Sequence, residues 1–129
     1  MGVMSTETSS FQNLSDNWLS GLGTEAGFPN SEESLLAFDE VCHMAENEPE
    51  RAWKFLLFSK SQYAKSEQHL SQIAASLLED LCGYHGSEFI DRFEQEAKKD
   101  INFAKMLGGI YQFRINNEVW ERIQKITNR

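Results

Sequence analysis

At 129 residues, with 40% hydrophobic and 12% aromatic content, the chain has the size and substance of one domain with a core of its own. No apolar run approaches the ~18 residues that a helical membrane span requires, which argues against an integral membrane protein. The net charge of −8 comes without any cluster of cations to displace phosphate counterions, which argues against a nucleic-acid binder.

The acidity is unevenly spread. Residues 1–50 hold ten acids and no Lys or Arg, and the first base is Arg51. The remaining residues hold ten acids and twelve bases. A basic partner surface therefore matches the N-terminal part of the chain, although acidic excess also serves solubility alone.

Residues 1–9 (MGVMSTETS) are small and polar and are expected to be disordered. They lack the basic and apolar regions of a signal peptide, so a cytoplasmic location is expected. A single all-α domain is expected over 10–129. Its first helix, 10–22, carries Phe11, Leu14, Trp18, Leu19 and Leu22 on one stripe, capped by Ser9 or Ser10 and stopped by Gly21 and Gly23. The linker 21–29 is glycine-rich, so this helix is expected to pack loosely or against a neighbouring molecule.

Asn30 and Glu33 form a capping box for the second helix, with Leu35, Phe38, Val41, Cys42 and Ala45 expected inward. Asn47-Glu48-Pro49 breaks it, and Pro49 suits the first position of the next. That third helix is apolar over much of its circumference (Ala52, Trp53, Phe55, Leu56, Leu57, Phe58), which predicts a central place. Ser66 caps a fourth with the stripe Leu70, Ile73, Ala74, Leu77, Leu78, Leu81 and Cys82, ending at Gly83 or Gly86. Ser87 opens a fifth with Phe89, Ile90, Phe93 and Ala97, closed by Lys98 and Lys99. Asp100 caps a sixth with Ile101, Ala104 and Leu107, ended by Gly108-Gly109. Asn116 or Asn117 caps the last, with Val119, Trp120, Ile123 and Ile126. Ile110–Ile115 is the one candidate strand; without a partner strand it reads as an extended connector. The fold class is all-α: about seven short helices, packed as antiparallel pairs in an orthogonal bundle or a helical-repeat-like stack.

Three segments carry a resemblance: PERAWKFLLF (49–58), LLEDLCGYHGSEFIDRFEQEAKKD (77–100) and LGGIYQFRINNEVWERI (107–123). In order and spacing they resemble a family of small bacterial all-helical domains of unknown function, over roughly residues 32–126. The resemblance implies an all-α fold and a bacterial source. It brings no activity, cofactor or catalytic residue. Three places depart from the family pattern: Glu48 stands where Asp is favoured as a cap, Phe38 where a Trp is common, and Asn116-Asn117 where proline is usual.

Candidate chemistry is sparse. Cys82 and His85 form a C-x-x-H, and Cys42-His43 could complete four zinc ligands. Cys82 lies on the core stripe, however, and His43 points about 100° from Cys42 on a helix, so free buried thiols are the plainer reading. His85-Gly86 reads as a helix end, with His at the dipole and Gly as a left-handed cap. As a catalytic base His85 would draw on Glu88, Asp91 and Arg114. Glu79-Asp80, Glu88-Asp91 and Glu94 are more simply surface ion pairs near Arg92 and Lys98. Arg114, between Phe113 and Ile115, is expected to tie a helix end or a core carboxylate such as Asp80. No metal, cofactor or catalytic set is assigned.

The leading expectation is a non-enzymatic protein-interaction module, in its sharper form immunity- or antitoxin-like, with a basic protein partner. The alternatives are a ligand binder or hydrolase-type enzyme using His85, Glu88, Asp91 and Arg114, and a homodimer joined through Phe11, Trp18 and Leu22.

Overall fold

The structure is a computed structural model and describes residues 6–20 and 31–127, with side chains from residue 10 onward. The elements are α1 (Thr6–Leu19), α2 (Glu32–Asn47), α3 (Pro49–Gln62), α4 (Glu67–Ile73), a π turn (Ala74–Leu78), α5 (Glu79–Lys99), α6 (Ile101–Gly108) and α7 (Asn117–Thr127). Because α4, the π turn and α5 run on without a break, the described residues form six joined helices and no strand. The fold is all-α.

Local chemistry sets most of the boundaries. Ser66 Oγ accepts from His69 N at 3.3 Å, Asp100 Oδ1 from Asn102 N at 2.9 Å and Asn116 Oδ1 from Val119 N at 2.8 Å. Pro49 starts α3, where its missing N–H costs nothing. Glu48 makes no side-chain cap bond there; it pairs with Arg51 (3.3 Å) instead. Asn30 lies outside the described residues, and the observed cap of α2 is Ser31, whose hydroxyl accepts from Ser34 N at 3.1 Å. Helix α1 begins at Thr6, ahead of the expected Ser9 or Ser10 cap. Leu22, the glycine stops and the linker 21–29 lie outside the described residues.

Helix α3 is central, as its apolar circumference predicts. On one side Phe55, fully buried, takes Phe11 (5.2 Å between ring centroids) and Trp18 (5.6 Å) from α1. On the other, Trp53 meets Phe93 (5.6 Å), Phe89 (6.1 Å) and, edge-on, Phe103 (5.8 Å) from α5 and α6. Helix α1 thus packs on α3 of its own chain through Phe11 and Trp18. Phe11 and Trp18 are buried against their own chain, so they do not present the exposed contact the homodimer reading requires.

Helix α2 turns inward a face that keeps Val41 and Ala45 of the expected set but not Leu35 or Phe38. Ser34, Ala37, Val41, Met44 and Ala45 are buried, whereas Leu35, Leu36 and Phe38 are exposed. The small residues let α1 and α2 pack closely, and the bulky ones rotate outward. Phe38 thus fills no core position.

The expected stop at Gly83 or Gly86 is a kink within α5. His85 has φ −135°, ψ 22°, and the helix resumes beyond it. Gly86 is not a left-handed cap: its backbone lies against Val119, whose Cγ1 would stand 3.0 Å from any added Cβ, so glycine here permits α7 to approach α5. The connector Ile110–Ile115 is not extended throughout: it bends at Phe113-Arg114, where Phe113 N donates to Tyr111 O at 2.9 Å, and it is anchored by its two buried isoleucines.

Candidate functional site

Four side chains carried the catalytic reading, and they do not converge. His85 Nε2 donates to the carbonyl of Glu46 at 2.8 Å. That carbonyl belongs to the last turn of α2, where no backbone donor follows, so His85 caps a helix other than its own. Its Nδ1 is 4.0 Å from Glu88. Asp91 is held by Arg122 at 2.8 Å, as is Glu94 at 3.0 Å. Arg114 lies on the connector. The small cleft beside His85, about 100 Å³, is lined by His85, Glu88 and Asn116 but by neither Asp91 nor Arg114.

The metal reading fares no better in space. Cys82 is buried, and burial pushes its thiol pKa up. His85 is engaged with Glu46, and His43 faces Asn47 (3.3 Å) and Glu48 (3.6 Å). Among the described residues no three His, Cys, Asp or Glu side chains are grouped to hold an ion. Cys42 is only partly buried; burial first, then Asp80 and Asp39, raise its pKa.

Arg114 is the residue whose role differs most from expectation. It is exposed, forms no ion pair with Asp80, and has φ 64°, a left-handed conformation unusual for a side chain of its size. Its guanidinium donates to the Tyr84 hydroxyl and stands over the rings of Phe113 (4.9 Å) and Tyr84 (5.1 Å). Gly83 permits this arrangement, because an added Cβ would lie 3.2 Å from Phe113 O and 3.3 Å from Arg114 Cβ. Tyr84, Tyr111 and Phe113 are all exposed, and Tyr111 N donates to Glu79 at 2.8 Å. Asp80, half-buried beneath, has its pKa raised by burial and by Glu79 and Glu46, against the pull of Arg114.

The charge asymmetry of the sequence is partly consumed by the fold. Glu40 and Glu48 hold Arg51 (2.5 and 3.3 Å), and Glu50 holds Arg92 through two bonds of 2.7 Å. On α2, Glu32, Glu33, Asp39 and Glu46 make no ion pair among the described residues. They flank the exposed Leu35, Leu36 and Phe38. No helix among the described residues is long and apolar enough to cross a membrane.

Fold and surface together define a small all-helical domain, organised about a kinked helix and a buried aromatic α3. The chain belongs to the family of unknown function DUF6869, whose profile matches residues 25–129, so that α1 precedes the matched segment. Searches of curated proteins and of solved structures returned no match.

Proposed function

We propose that this protein is an interaction module that receives a protein with a basic and partly apolar surface on its outer α2 face, with the exposed Tyr84–Phe113–Arg114 rim as a second contact. One observation carries the reading. The large apolar side chains that α2 leaves in solvent, Leu35, Leu36 and Phe38, stand among carboxylates that make no ion pair among the described residues. Exposed apolar groups supply contact area, and unpaired charge supplies orientation and encounter rate. Aromatic residues around an arginine, as at Tyr84, Phe113 and Arg114, are the composition enriched at the energetic centre of interfaces. The partner supplies the missing cations.

The test is affinity capture from the native host at low salt, run in parallel with Leu36→Lys and Asp39→Lys. The expected result is a basic protein held by the wild type, released as salt is raised, and not captured by either variant. Both variants should melt with the wild type, because both sites are exposed. Equal capture by the variants, or a partner whose retention ignores salt, overturns the proposal.

A further inference from the structure

We propose that the cleft between α4, the π turn and α6 binds a small amphipathic organic anion, a medium-chain carboxylate being the simplest of the class. The cleft encloses about 450 Å³, within the range of sites that hold small molecules. Its floor is apolar, made by the buried Leu70, Ala74 and Met106. Its mouth carries Lys65 and Lys105.

Those lysines are open to an incoming anion. Lys60, Lys98 and Lys99 are each held by a carboxylate within 4 Å. Lys65 and Lys105 make no ion pair among the described residues, in a chain of net charge −8. Glu67 also lines the wall, so cations exceed anions there by one. Asn102 Nδ2 gives one hydrogen to Ala64 O at 3.3 Å, so the two ammonium groups are the charged donors an anion meets, beside the Asn102 amide and the Ser71 hydroxyl. A larger cleft, about 650 Å³, beside α7 also carries cations, Lys125 among them, but its apolar lining is only the half-buried Ala97 and Ile126, so it has no buried apolar floor.

Ala74, the first residue of the π turn, places a small side chain where the helix faces the cleft. The cleft shares no residue with the α2 face, so the two proposals stand or fall separately.

Calorimetric titration of the full chain with octanoate, octan-1-ol and octylamine tests the inference. Octanoate is expected to bind saturably and octylamine not at all. Octanol should bind at least about tenfold more weakly, the loss of one charge-assisted contact. Lys65→Glu with Lys105→Glu should abolish octanoate binding and leave the melting temperature unchanged, both sites being exposed. Ala74→Leu, which fills the floor, should remove octanoate and octanol together. If Ala74→Leu fails to fold, the charge-reversal pair decides alone. Absence of saturable octanoate binding, equal affinity for octanol, or retained binding in the charge-reversal pair overturns the proposal.

Discussion

Lys60 Nζ lies 2.6 Å from Asp100 Oδ2, although forty positions separate the two residues in the chain. Glu96 Oε2 completes the cluster at 3.1 Å. The lysine leaves the last turn of α3, Glu96 the last turn of α5, and Asp100 caps α6, so one buried ammonium ties three helix ends. Side-chain exposure is 10% for Lys60, 11% for Glu96 and 25% for Asp100, low enough that each charge depends on the others.

Lys60→Met should therefore cost about 3 kcal/mol, because it leaves Asp100 without a cation and Glu96 with only the exposed Lys99, at 3.4 Å. Asp100→Asn keeps the cap and loses the charge, whereas Asp100→Ala loses both. The alanine variant should be less stable than the asparagine one by about 1 kcal/mol, the contribution of an N-cap. Urea denaturation of the three variants checks the ordering.

The same cluster gives the protein a pH dependence. Burial favours the neutral form of Asp100, but Lys60 and the α6 backbone outweigh it and hold its pKa below the ordinary aspartate value. A depressed acid contributes stability that is present above its unfolded pKa and lost as pH falls through the folded one. For Lys60, burial lowers the pKa, and Asp100 and Glu96 more than reverse this. Its contribution is present below the ordinary lysine value and lost as pH rises through the raised one. Tyr63 follows at the alkaline end, pushed up to about 12 by burial and by Asp16, to which its hydroxyl donates at 2.9 Å. Denaturation midpoints should fall at both extremes, and Lys60→Met should flatten both limbs.

Glycine substitutions should separate by location. At Gly108 an added Cβ meets only Thr127 Cβ, at 4.0 Å, so Gly108→Ala should stabilise by about 0.5 kcal/mol through helix propensity. At Gly83 the neighbour is Phe113 O at 3.2 Å, a backbone atom that cannot rotate away. Gly83→Ala should destabilise by about 1 kcal/mol despite the same propensity gain. Thermal melts of the two variants should move in opposite directions.

His85→Ala should remove the cap on α2 and cost about 1 kcal/mol, the net contribution of one hydrogen bond. Amide exchange distinguishes this from a general loss of packing. Protection should fall first at the C-terminal turn of α2, near Glu46, rather than throughout α5.

Trp18→Ala should cost about 3–5 kcal/mol, as expected when a large buried ring leaves a cavity. The result would fix α1 as part of the core although it precedes the family-matched segment. A loss below about 1 kcal/mol would show instead that α1 contributes little to folding.

The sequence by itself determined what is local. Ser66, Asp100 and Asn116 cap the helices they were expected to cap, and the stripe from Leu70 to Cys82 is buried throughout. Caps and stripes act within a few residues, so a periodic pattern and one hydroxyl or carboxylate suffice to specify them. The tertiary structure decided the rest. Two faces of α2 satisfy helical periodicity, and the approach of α1 and the other neighbours chose the small-residue face, leaving Leu35, Leu36 and Phe38 outside. His85 was legible as a helix end but not as the cap of a helix 39 positions earlier. Gly86 was legible as a break but not as the seat of Val119, and Arg114 as an oddity but not as a strained residue over Tyr84. Each of these roles depends on which distant backbone arrives, and that is set by the packing of whole helices rather than by any residue's neighbours in the chain.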